Sequence, residues 1–414
     1  MNKGKNDFSL FIITAMFFAG IFAAQISGVP VKRIMQNYSY DVLVILIIME
    51  LFTGLVAQTG IMQKIAVSIV SRSEGIRRPC LIMFGAAMFA ISAFLNNITA
   101  VMMILPVIFV FMNAVDVDEK FVCTFFAAIL ALSNTGGAAS PIGDFPAIVI
   151  MTSGITDFTS YLWRALFLFG ITSAVLVALY SRCISGNESG ESMRKLAVLN
   201  LKSQYRNCEM RKDVLTGLMI IFGFMFIAWS LNIFPPEIVA VLGYSLALLF
   251  CVIKGLKINM HMDMKSLLTI ASFLFFAETV SQTGLLHIMA GYLQNNIANP
   301  RLLVSVIMII TSLAAGIFSA GPAAAAMMPV VVELCGSSLT SHSDWIAVSY
   351  AAAICAGSSL FMWSATAGFI LSEKVNEAHI GNNLRWGVKH YFRYGIINYL
   401  VQMSIALVVG NIVI

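Results

Sequence analysis

Apolar runs of membrane-crossing length recur from one end of this 414-residue chain to the other. The plainest are 8–27, 41–56, 214–231 and 238–253, each near the roughly 20 residues that a helix needs to span hydrocarbon. Charged residues make up 11% of the chain and hydrophobic ones 59%, whereas a soluble domain carries about 25% charged residues. No single water-soluble core hides that much apolar surface. The chain is expected to be an all-α polytopic membrane protein, with the lipid bilayer as its first partner. The first run follows Lys3 and Lys5, is too long for a leader core and shows no small-residue cleavage site near Val29. It reads as a retained first helix.

Several function classes drop out. The seven cysteines form no CxxC pair and no metal-ligand spacing, and in apolar runs a cysteine behaves as a small hydrophobe. The net charge of +5 lies in loops between spans, where the positive-inside rule accounts for it, so nucleic acid is not implied as a partner. GxxxxGK[ST], HExxH and GxSxG are all absent, which argues against an ATP-driven pump and against an enzyme. No cofactor is expected beyond Na⁺ or H⁺ as a coupling ion.

Four apolar stretches are too long for one span and are interrupted midway. The first, about 81–112, carries Asn96-Asn97 at its centre and predicts a re-entrant hairpin with both ends on the cytoplasmic side. The next, 121–155, is interrupted by Ser133-Asn134-Thr135-Gly136-Gly137 and Pro141. The third, about 302–334, is broken at Ser319-Ala320-Gly321-Pro322, and the fourth, 345–372, around Gly357-Ser358-Ser359. With the N-terminus in the cytoplasm of a multi-pass cell-membrane protein, this threading leaves only Lys32, Arg33, Arg164 and Arg301 outside among 25 Lys and Arg. That bias is what the positive-inside rule requires.

The interruptions fall in matching places of two halves. Residues 51–66 and 275–290 read alike and share Gln58-Thr59-Gly60 and Gln282-Thr283-Gly284. An overlong hairpin follows each, and then an interrupted span rich in Gly and Ser. The expected organisation is a first repeat over 1–180, a basic loop and linking span over 181–235, and a second, inverted repeat over 236–414. Inverted repeats with discontinuous helices belong to alternating-access carriers, whose site lies near the midplane; unwound backbone at that depth must line protein or a watery cavity.

Asn96, Asn97 and Thr99 at the first tip and Ser133, Asn134, Thr135, Gly136 and Gly137 in the first broken span are candidate ligands. Ser319, Ser358 and Ser359 are their counterparts in the second half. Side-chain oxygens and freed carbonyls suit a hard cation, with Na⁺ at Asn97, Ser133 and Asn134. Opened helix N-termini suit an anion. Both ligand signs stay open on the residues alone. Acids in apolar runs are costly and usually functional, which makes Asp144, Glu278 and Glu50 candidate proton carriers. A channel or a non-transporting receptor is the reading from a different class.

The order Phe94-Leu95-Asn96-Asn97-Ile98-Thr99, then SNTGGAASPIGDFP at 133–146 and GSSLFMWSATAGFILSE at 357–373, resembles the ion transporter superfamily. It looks most like the ArsB/NhaD branch and its NhaD-type sodium/proton antiporters. The resemblance implies a scaffold holding an elevator-like transport domain built from two hairpins and two broken helices. It further implies ion-binding roles for Asn96, Asn97, Thr99, Ser133, Asn134, Gly136, Gly137 and Asp144, and a homodimer by analogy. Relatives exchange Na⁺ for H⁺, export arsenite or take up dicarboxylates with Na⁺. Cation/proton exchange is therefore the first expectation and ion-coupled anion transport the alternative. The branch's Asp-Asn pair is reduced here to Asn96-Asn97 at the first tip, and the second tip has neither residue.

Overall fold

The computed structural model describes residues 3–115, 117–184, 190–206, 210–259, 262, 264–337, 342–365, 367–378, 380 and 386–413. Among these residues nineteen helices follow one another without a strand. Helix α1 (Lys3–Ser27) and the short α2 (Val31–Gln36) lead into a first series. It comprises α3 (Tyr40–Gln58), α4 (Ile61–Arg72), α5 (Arg77–Ser92), α6 (Asn97–Ala114), α7 (Glu119–Ala138), α8 (Phe145–Thr152) and α9 (Phe158–Cys183). Three helices connect it to the next: α10 (Glu191–Gln204), α11 (Lys212–Ser230) and α12 (Pro236–Ile253). The second series is α13 (Met264–Gln282), α14 (Leu285–Asn296), α15 (Pro300–Phe318), α16 (Ala320–Ser337), α17 (Ser343–Ser358), α18 (Gly368–Glu377) and α19 (Val388–Val413). Eight helices (α3, α6, α7, α9, α11, α12, α15 and α19) are long and apolar enough to cross a membrane, and α1, α13 and α16 hold shorter apolar stretches.

The two series match element by element. Helices α3 and α13 have 19 residues each, α4 and α14 have 12, α6 and α16 have 18, and α9 and α19 have 26. Pro106 and Pro329 occupy the same place inside α6 and α16. Gly60 and Gly284 open α4 and α14 with φ of 79° and 76°. Glycine alone takes this left-handed turn without strain, which is why both Gln-Thr-Gly segments end on it. Packing repeats as well: α5 lies on α7 and α15 on α17, α7 on α9 and α17 on α19, and α4 on α6 and α14 on α16.

The structure moves three of the expected interruptions. Ser133 to Gly137 stay inside the continuous helix α7, and the chain leaves the helix only over 139–144. In the second half α17 runs through Gly357 and ends at Ser358, and α18 begins at Gly368. The second hairpin turns at Ser319 alone, so Gly321 and Pro322 already sit in the first turn of α16. There the missing N–H of proline costs nothing, because a first helical turn has no intrahelical partner for it. The first interruption lies at Asn96-Asn97 as read from the sequence, with α5 ending at Ser92 and α6 starting at Asn97. Within the basic loop expected after residue 180, α10 buries Ala197, Val198 and Leu201 and packs on α4 and α6.

Candidate functional site

The first hairpin turn, the end of α7 and the start of α8 converge. Asn96 caps α6: its Oδ1 accepts from Ile98 N–H at 3.0 Å and Thr99 N–H at 3.3 Å, satisfying two of the donors a helix start leaves open. Its own N–H donates to Thr53 Oγ1 on α3 at 3.3 Å, which fastens the turn to that helix. Asn97, fully buried, starts α6 and donates from Nδ2 to Asp144 Oδ2 at 3.0 Å. Asp144 is in turn the N-cap of α8, and its Oδ1 accepts from Phe145 N–H at 2.9 Å. A carboxylate at a helix N-terminus is held by the positive end of the peptide dipoles.

The Gly-Gly of α7 closes this cluster. A Cβ on Gly137 would lie 2.7 Å from Asn97 Nδ2, 2.8 Å from Asn97 Oδ1 and 2.9 Å from Asp144 Cβ. On Gly136 it would lie 2.4 Å from the carbonyl oxygen of Phe89 on α5. Both glycines therefore serve close approach and not helix breaking. The segment after α7 folds onto the hairpin turn, where the Ser140 hydroxyl donates to the carbonyl of Ala93. One turn earlier on α7, buried Asn134 donates from Nδ2 to Ser359 Oγ at 3.3 Å, and Ser92 bonds Ser133 at 3.3 Å.

Two atoms in this cluster lack a protein donor. Asn97 Oδ1 and Asn134 Oδ1 are buried without a hydrogen-bond partner, and an unsatisfied buried acceptor costs about 1–3 kcal/mol. Oxygen donors from amides, hydroxyls and one carboxylate are the set that hard cations take, whereas among the described residues no group of three His, Cys, Asp or Glu is poised to hold a metal.

Not every expected residue belongs to the cluster. Thr135 faces away, bonding Leu132 O at 3.2 Å and Ser173 Oγ on α9 at 2.9 Å. Thr99 enters only through its backbone N–H. Ser358 bonds within its own helix, to Cys355 O at 3.1 Å. Glu278 accepts from Gln282 at 2.7 Å on α13, and Glu50 lies half-buried on α3. Ser359, by contrast, reaches from the second series to Asn134. Counted from matching helix ends, Asn96, Asn97 and Asp144 correspond to Ser319, Ala320 and Ala367, the last capping α18 without a side-chain bond. Of these three matched positions in the second series, only Ser319 keeps a side-chain oxygen.

A family model described as citrate transporter (CitMHS) matches residues 8–355. A 46 kDa membrane protein of Mycobacterium leprae is 24% identical over 344 residues, covering 82% of this chain and 79% of that one. An uncharacterized transporter of Mycobacterium tuberculosis is 26% identical over 302 residues, covering 71% and 68%. Among solved structures, the Alcanivorax borkumensis YdaH transporter, described as having an unusual topology, superposes with a TM-score of 0.57 at 12% identity. That match covers 97% of this chain and 98% of the other. The likeness is one of fold. The family and these relatives are transporters and not enzymes.

Proposed function

This membrane transporter belongs to the citrate transporter family, and from that premise we propose that it carries a small polycarboxylate of the citrate class together with a cation. One observation carries the reading: the buried Oδ1 atoms of Asn97 and Asn134 have no protein donor, and Asn97 itself binds the Asp144 carboxylate. A Na⁺ held by these oxygens offsets the charge of the solute. The first turns of α6 and α8 offer the solute carboxylates their positive dipole ends.

The carrier works by alternating access. In this reading the two helix series run in opposite senses through the cell membrane, with re-entrant hairpins, a cytoplasmic N-terminus and an elevator-like moving domain. A homodimer is the expected assembly. Cation/proton exchange is the second reading. It is favoured by Asp144, a carboxylate at a helix break that can hold either a proton or the cation.

Proteoliposomes separate the two. Labelled citrate uptake should saturate and require an inward Na⁺ gradient, and Asn97→Ala and Asn134→Ala should each raise the half-saturating Na⁺ concentration about tenfold. Na⁺-driven proton efflux without citrate would favour exchange. Absence of citrate flux under every gradient would sink the first reading.

A further inference from the structure

We infer that the second helix series serves the first one's site as positioning apparatus, with Tyr391 as its central residue. The inference rests on the cation site proposed above. Helix α7 ends inside the apolar interior, and a helix end there leaves carbonyls that water cannot reach. Tyr161 on α9 meets this need by donating its hydroxyl to Ala138 O at 2.9 Å. Tyr391 on α19 does the same at the second break, donating to Ser359 O at 2.8 Å.

The two contacts are equivalent by position. Each tyrosine is the fourth residue of a 26-residue helix. Each accepting carbonyl lies two residues after a glycine, Gly136 or Gly357, that presses its Cα against a backbone carbonyl of α5 or α15. Both tyrosines are buried.

The second cap does more than the first. Ser359, held through its carbonyl by Tyr391, offers its hydroxyl oxygen to Asn134 Nδ2 at 3.3 Å. Fixing Nδ2 turns the amide so that Oδ1 is the atom left for the cation. Tyr391 is itself braced, because Asn398 Nδ2 donates to its hydroxyl at 3.4 Å and Asn398 Oδ1 accepts from Tyr180 of α9 at 2.7 Å. A continuous buried path, Tyr180–Asn398–Tyr391–Ser359–Asn134, therefore runs from α9 through the second series and back to the first one's site. Tyr391 touches neither cation nor solute in this arrangement. It acts through Ser359.

The test measures Na⁺-dependent citrate uptake in proteoliposomes for Tyr391→Phe, Ser359→Ala and their double variant, with Asn134→Ala as reference. Tyr350→Phe is the structural control, since Tyr350 also donates from a buried hydroxyl to a helix carbonyl, Ala324 O at 2.7 Å, away from the path. Tyr391→Phe and Ser359→Ala should each raise the half-saturating Na⁺ concentration about threefold to tenfold with little change in maximal rate. The double variant should be no worse than either single one. An effect of Tyr391→Phe equal to that of Tyr350→Phe, or undiminished in the Ser359→Ala background, overturns the positioning role while Asn134→Ala still shows the site. If Asn134→Ala leaves Na⁺ dependence unchanged, the site reading falls and this inference with it. Should Tyr391→Phe fail to fold, Asn398→Ala, which loosens the same tyrosine, replaces it under the same criteria.

Discussion

Asp144 combines two tasks that one substitution can separate. It caps α8 through Phe145 N–H and carries a charge beside Asn97. Asparagine caps a helix about as well as aspartate does, so Asp144→Asn should leave the protein folded and inserted while abolishing cation-driven uptake. Full uptake with unchanged cation dependence in that variant would remove the charge from the mechanism. Gly137→Ala probes the same spot sterically. A methyl group 2.7–2.9 Å from Asn97 and Asp144 must push the amide away, so cation affinity should fall by about tenfold or more, whereas Gly54→Ala, with nothing within 4 Å of the added Cβ, should be silent. Asn97 and Asp144 were legible in the sequence because polar groups are conspicuous in apolar runs. The orientation of Thr135 was not, since adjacency to Asn134 puts it about 100° around α7 and facing α9. Tyr161 and Tyr391 also escaped notice, for a tyrosine in an apolar helix reads as an ordinary interfacial residue. Their shared fourth position in two helices of equal length was the available signal.

At the scale of elements, the breaks lie where capping and turn chemistry put them, not where small polar residues cluster. Ser, Asn, Thr and two glycines can all remain helical when tertiary contacts press on them, and in α7 every residue from Phe121 to Ala138 is buried. The helix yields instead just before Pro141, whose ring disfavours helix in the preceding residue, and restarts at the Asp144 cap. The second hairpin shows the reverse situation. Its one-residue turn holds Ser319 at φ 88° and ψ 162°, a conformation open almost only to glycine, and a side chain there costs about 1–3 kcal/mol. Ser319→Gly should therefore raise the apparent melting temperature of the purified protein by a few degrees, with little loss of cation affinity. An unchanged or lowered melting temperature would mean that the hydroxyl contributes more than the strain costs. Helix α10 was hidden for a different reason: only three of its residues, Ala197, Val198 and Leu201, are buried, too thin a stripe to stand out within a basic loop.

The whole molecule is tied together by exchange between its halves. The helix preceding each series packs on the first helix of the other, α1 on α13 and α12 on α3, so neither series is wrapped by its own lead-in. The Gln-Thr-Gly echo revealed the correspondence in the sequence; this crossing could not be read there, because it depends on which apolar faces meet and all are apolar. The correspondence makes a parity argument possible. Between Ser203 and Asn299 stand α11, α12 and α13, while α14, at 12 residues or about 18 Å, is too short to cross a core of about 30 Å. If α13, whose apolar stretch is shorter, crosses as α11 and α12 do, the two residues lie on opposite sides wherever the N-terminus lies. Arg72, at the end of α4, shares a side with Ser203 if the α5–α6 pair is re-entrant and α7 with α8 makes a single crossing before α9 returns, and the packing of α10 on α4 supports this. Arg72 and Asn299 precede equivalent hairpins, so their relative sidedness reports the relative sense of the two series. In a cysteine-depleted background, Arg72→Cys and Ser203→Cys should be protected from an impermeant thiol reagent on the face where Asn299→Cys is labelled. All three positions are exposed, so failure to label reflects sidedness and not burial. Labelling of Arg72→Cys and Asn299→Cys from the same face would mean that the series run parallel, and the inverted arrangement underlying alternating access here would have to be abandoned.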